Sequence, residues 1–178
     1  MGTLLTSQRV SDGPVVPMSN GLTAVLLDVL SLAACRFATT DWEKRFAYFL
    51  IQHDASRVGL GTAGLEVSEF GWTHEDFENE KRFILAVVDA ALAKSNWELL
   101  GFEPRPESIL PALERLRAMI IAFPMSAIPR ESEDAWIPDE LPTHGECEVH
   151  HVYLHELGCM LCNDQPIDAP PNRAPHRT

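Results

Sequence analysis

The stretch PESILPALERLRAMIIAF, residues 106–123, carries the clearest helical period in the chain. Ile109, Leu113, Leu116, Ile120 and Phe123 recur at steps of four and three, which places them on one side of an α-helix. Pro106 suits the first helical position, where no amide donor is needed. The reading therefore starts from a helix with one apolar face.

Upstream, three more stretches read the same way. The first helix is expected from about Gly21 to Phe37, with Leu22, Val25, Leu26, Val29 and Ala33 on one face and Asn20 or Ser19 as its cap. The second begins at Thr40, because Thr40 and Glu43 match the capping box, in which each side chain satisfies a backbone donor of the other. Trp42, Phe46, Phe49, Leu50 and His53 line its apolar side. The third starts near Thr73, with Asp76 in the capping position, and runs to about Asn96. Its stripe is Phe77, Ile84, Val88, Ala91 and Leu92. Between the second and third, Gly59, Gly61 and Gly64 punctuate a link, and residues 58–67 read as a short strand or ordered loop. The fold expected is mainly α, a compact bundle of about four helices with a short C-terminal β-hairpin in which the spacing of Cys147, His150, Cys159 and Cys162 predicts a zinc knuckle. Helices three and four, with the longest and cleanest stripes, are expected at its centre.

The ends read differently. Ser11, Asp12, Gly13, Pro14 and Pro17 break any period over residues 1–19, which predicts a flexible N-terminal arm ahead of a helical domain over 20–128. Residues 129–163 read as an acidic loop and a zinc-binding hairpin packed on the helices. Residues 164–178 read as a Pro-rich tail, through Pro166, Pro170, Pro171 and Pro175.

The hairpin carries the strongest chemical signal. Cys147 and His150, then Cys159 and Cys162 after eight intervening residues, form a C-x2-H and a C-x2-C step. Zinc takes four soft or borderline ligands in a tetrahedron, and each such step is a tight turn that aims two side chains at one point. Val152 and Leu154 alternate with Tyr153 and His155, a strand pattern, and Gly158 supplies the backbone freedom for the second turn. His144, His151 and His155 lie close enough to replace His150. The segment resembles the small zinc-ribbon or zinc-knuckle modules, a likeness that covers about 16 residues and implies a structural Zn2+ rather than an activity. A thioredoxin-like site at Cys159 and Cys162 would need a βαβ unit, which the preceding residues do not provide. His151, His155 and Glu156 lack the H-E-x-x-H order of a zinc hydrolase, and four protein ligands leave no position open for substrate.

Composition narrows the function classes. Lys and Arg number 14 against 26 Asp and Glu, for a net charge of −12 and a pI near 4.9. That balance disfavours a nucleic-acid role, since such affinity comes largely from cations that release counterions. It favours a partner protein with a basic surface. The apolar stretch Leu22 to Ala34 contains Asp28 and is too short to cross a bilayer. No membrane role and a cytoplasmic location are expected. Four cysteines there point to metal or reduced thiols. The first functional expectation is thus a small acidic cytoplasmic binding protein of immunity-like or regulatory type. It would grip its partner through Phe70, Trp72 and the surrounding acids, or through Trp136 in the acidic loop from Glu131 to Glu148. The alternatives are an enzyme with an unrecognised site near His53 and His74, or a zinc-ribbon regulator that contacts nucleic acid through Arg173 and Arg177. Gly59, Gly61 and Gly64 match G-x-G-x-x-G but lack the flanking strand and helix of a dinucleotide site. Cys35 reads as a buried small hydrophobe, and His53 as a histidine at the edge of the core.

Overall fold

The computed structural model describes residues 2–6, 15–53, 64–128, 141, 144–155 and 158–162. In chain order the elements are strands β1 (Gly2–Thr6) and β2 (Val15–Ser19), helices α1 (Asn20–Phe37) and α2 (Asp41–His53), strand β3 (Leu65–Glu66), and helices α3 (Phe77–Leu92) and α4 (Pro106–Ala122). The chain is mainly helical, as the stripes predict.

Local chemistry sets most of the boundaries. The Ser19 hydroxyl accepts from the Leu22 amide at 3.2 Å and opens α1. The capping box of α2 forms in both directions: Glu43 N–H donates to Thr40 Oγ1, and Glu43 Oε2 accepts from Thr40 N–H at 2.8 Å. The α3 stripe starts later than expected. Thr73 Oγ1 accepts from the Asp76 amide and closes a turn, so regular helix begins only at Phe77. The Thr73 amide and hydroxyl in turn donate to the buried Glu80 carboxylate. At the far end, Lys94 and Asn96 take left-handed backbone with φ 59 and 61, which stops the helix short of the expected limit.

α1 is the central helix, which corrects the placement of helices three and four there. Leu26, Leu27, Val29, Leu30, Leu32, Ala33 and Ala34 are all buried, so α1 is apolar nearly all round rather than along one stripe. It packs on α2, α3, α4 and the sheet. Its length of 18 residues and mean hydropathy of 1.4 would also suit a membrane span, a test that the core helix of a folded domain passes equally well.

The arm expected over residues 1–19 is corrected at its described residues, 2–6 and 15–19. β1 pairs antiparallel with β2, Gly2 opposite Ser19 and Thr6 opposite Val15, and parallel with β3, Leu5 opposite Leu65. The signal missed was the alternation in β2: Val16 and Met18 are buried, Val15 and Pro17 exposed. β2 is an edge strand, where proline's missing N–H costs no ladder bond, so Pro17 does not break it. Leu5 and Leu65 are fully buried.

An aromatic chain crosses the core from α2 to the end of α4. Trp42 stacks on Phe46 at 5.7 Å, Phe46 meets Phe70, and Trp72 stacks on Phe123 at 5.3 Å. Phe70 and Trp72 are therefore core residues rather than exposed gripping aromatics. Trp72 Nε1 donates to the Val67 carbonyl at 2.6 Å. Lys81 ties α3 to the end of α4, its ammonium donating to the Ile121 and Phe123 carbonyls at 2.8 Å each.

Candidate metal centre

Two turns build the site. In the first, the Cys147 amide donates to Val152 O and the Leu154 amide to Gly145 O, both at 2.9 Å, with Glu146 bridged to Tyr153. The paired residues flank the Cys147–His150 turn on both sides. The expected hairpin between His150 and Cys159 is thus shifted toward the N-terminus. Gly145 at φ 81 and His151 at φ 53 bend the chain at either end of that turn. In the second, His155 and Gly158 exchange backbone hydrogen bonds of 3.2 and 2.8 Å, and the Cys162 amide donates to Cys159 O. Gly158 has φ 98, a conformation that only glycine adopts without cost, as its place before Cys159 predicts.

These turns bring together Cys147, His150, Cys159 and Cys162, and their ligand atoms all lie within 4.8 Å of one another. The four could hold a metal ion. His150 Nδ1 stands 3.6, 3.5 and 3.2 Å from the sulfurs of Cys147, Cys159 and Cys162, and the sulfurs of Cys147 and Cys162 are 3.6 Å apart. Zn–S bonds near 2.3 Å and Zn–N bonds near 2.1 Å give a tetrahedron with edges of about 3.8 Å between sulfurs and about 3.6 Å between sulfur and nitrogen. The three sulfur–nitrogen distances and the Cys147–Cys162 sulfur separation lie close to those figures. His144, His151 and His155 stay outside the cluster, so His150 is the imidazole among the described residues.

Backbone donors support the sulfurs. The His150 amide points to Cys147 Sγ at 3.5 Å and the Leu161 amide to Cys159 Sγ at 3.4 Å, hydrogen bonds that favour the thiolate form. Burial alone would raise the Cys147 thiol. The amides of His150 and Val149, with the thiols of Cys159 and Cys162, outweigh it and hold Cys147 below the usual range. Cys159 moves the other way, pushed up by burial and by the neighbouring Cys147 sulfur. Sulfurs this close oppose one another's ionisation, a conflict that a divalent ion at the centre would relieve.

The knuckle is anchored to the helices. Val152 and Met160 are fully buried, and Tyr153 and Cys159 nearly so. Cys35 on α1 is buried against Tyr153, and burial pushes its thiol up to about 12, in keeping with its reading as a small hydrophobe. Burial likewise pushes the Tyr153 phenol up to about 12.

The other candidate residues do not assemble with these. His53 is buried beside Phe49 and its Nε2 donates to the Gly64 carbonyl at 2.7 Å, while His74 is exposed on the α3 approach. No shared site forms from that pair. Trp136, Glu131, Arg173, Arg177, Gly59 and Gly61 lie outside the described residues. No family model, curated protein or solved structure matches the chain.

Proposed function

We propose that Cys147, His150, Cys159 and Cys162 bind one structural zinc ion that fastens the C-terminal knuckle to a helical binding protein. The observation that carries this reading is the convergence of three sulfurs and one imidazole nitrogen within 4.8 Å of one another, with His150 Nδ1 at 3.2–3.6 Å from each sulfur. Thiolate-rich sets select zinc over harder divalent ions, and a set of four protein ligands leaves no coordination position for chemistry. Metal analysis of the purified chain is expected to return one zinc per molecule. Cys162→Ser, which removes an exposed ligand, should lower that value several-fold, whereas Cys35→Ala should leave it unchanged. Equal zinc in both variants, or none in the parent chain, would overturn the assignment.

The partner proposed is a protein with a basic surface, met in the cytoplasm. The net charge of −12 supports the basic partner, and the need of the ligand thiols for a reducing compartment supports the location. Capture on the immobilised chain should retain proteins whose release follows rising ionic strength. Retention indifferent to salt would count against an acidic docking face.

A further inference from the structure

The end of α1, the start of α2, the turn after α3 and the knuckle enclose a cleft of about 420 Å³. That volume falls in the range of small-molecule sites. Leu32, Leu99 and the Tyr153 ring supply an apolar lining, and Arg36, Lys44 and Asn96 face the same space. In a chain with 26 acidic residues against 14 basic ones, a cation has many carboxylates available to it. Even so, among the described residues neither the Arg36 guanidinium nor the Lys44 ammonium has an ion-pair or hydrogen-bond partner. Glu146 lines the cleft without pairing to either.

Helix electrostatics explains only one of the two. Arg36 lies in the last turn of α1, where the dipole favours a cation. Lys44 lies at the start of α2, where the dipole opposes one, and Asp41 and Glu43 in that turn do not pair with it. Both cations border one concave, partly apolar space that no side chain among the described residues fills. We propose that this cleft binds a small organic anion, its phosphate or carboxylate held between Arg36 and Lys44 and its apolar body laid on Leu32, Leu99 and Tyr153. The guanidinium offers a planar fork of donors and the ammonium a compact charge, a pairing suited to either oxyanion. The overall charge repels anions at long range, so affinity comes from the cleft itself.

Titration calorimetry on the full chain, with zinc and after its removal, tests this with phenyl phosphate and benzoate as probes and benzyl alcohol as the neutral control. One of the two anions is expected to bind with a stoichiometry of one, and which it is separates phosphate from carboxylate recognition. Arg36→Gln and Lys44→Gln should each weaken that probe by about tenfold, the effect of losing one charge-assisted contact. Glu146→Gln should strengthen it. Far-UV circular dichroism should stay unchanged in all three. Titrating both metal states separates failure of the cleft from failure of the zinc site. The proposal is overturned if neither anion binds in either state, if the alcohol binds as well, or if the double Arg36→Gln, Lys44→Gln variant keeps the parent affinity.

Discussion

At the residue scale, one carboxylate controls the entry to α2. Glu43 Oε2 accepts from the Thr39 and Thr40 amides and the Thr39 hydroxyl at 2.7–2.8 Å. Burial acts to raise its pKa, and those hydrogen bonds override it, so the folded value lies below the ordinary 4.5. A carboxyl group whose folded pKa is depressed contributes stability above its unfolded pKa and loses it as pH falls through the folded value. Glu43→Gln should therefore be less stable than the parent at pH 7, with the gap closing below about pH 4.5. Thr40→Ala, which removes the reciprocal bond, should cost about 1 kcal/mol at any of these pH values. Urea unfolding across the pH range checks both. This pair was legible in the sequence because a capping box is local, its two partners three residues apart. The burial of Trp72 was not, because it depends on Val67 and Phe123, and the latter lies 51 positions away.

At the scale of elements, α1, α2 and α4 were read nearly to their ends, since a stripe at steps of three and four is written into each one, while α3 was read too long at both ends. What escaped was how they share the core. Periodicity favours helices with one clean face, yet the helix in the middle has none: α1 is apolar on several sides. Two strands escaped for a related reason, while β3 falls in the 58–67 stretch read as a short strand or ordered loop. β1 pairs residues as distant as Leu5 and Leu65, and the five-residue β1 and β2 carry little period of their own. The knuckle was legible in its ligands and misplaced in its pairing, since the C-x2-H and C-x2-C spacing fixes the turns but not which flanks bridge. Gly145 tests that geometry. A Cβ there meets nothing within 4 Å, so Gly145→Ala should act only through the φ of 81. A side chain in left-handed backbone costs about 1–2 kcal/mol. That cost falls on the ordered turn, so zinc affinity in a competitive chelator titration should drop by roughly five- to thirtyfold. No change in affinity would mean that the turn forms equally well without the ion.

Across the whole molecule, two kinds of stabilisation meet. The helices and sheet bury a continuous apolar core to which the knuckle adds Val152, Tyr153 and Met160, and on the proposed reading the small knuckle draws much of its own folding energy from the ion. Zinc removal should therefore leave the far-UV helical signal largely intact while amide exchange rises across residues 145–162. Uniform unfolding on chelation would show that the two parts are not separable. Val152 and Met160, fully buried members of the core cluster, give that separation a further consequence. Loss of the proposed ion should wet these side chains and the core surface they cover. Bound ANS fluorescence should rise with chelator. In a metal-starved cell such a chain would turn adhesive, attract chaperones and proteases, and disappear, so its abundance would follow the supply of the metal.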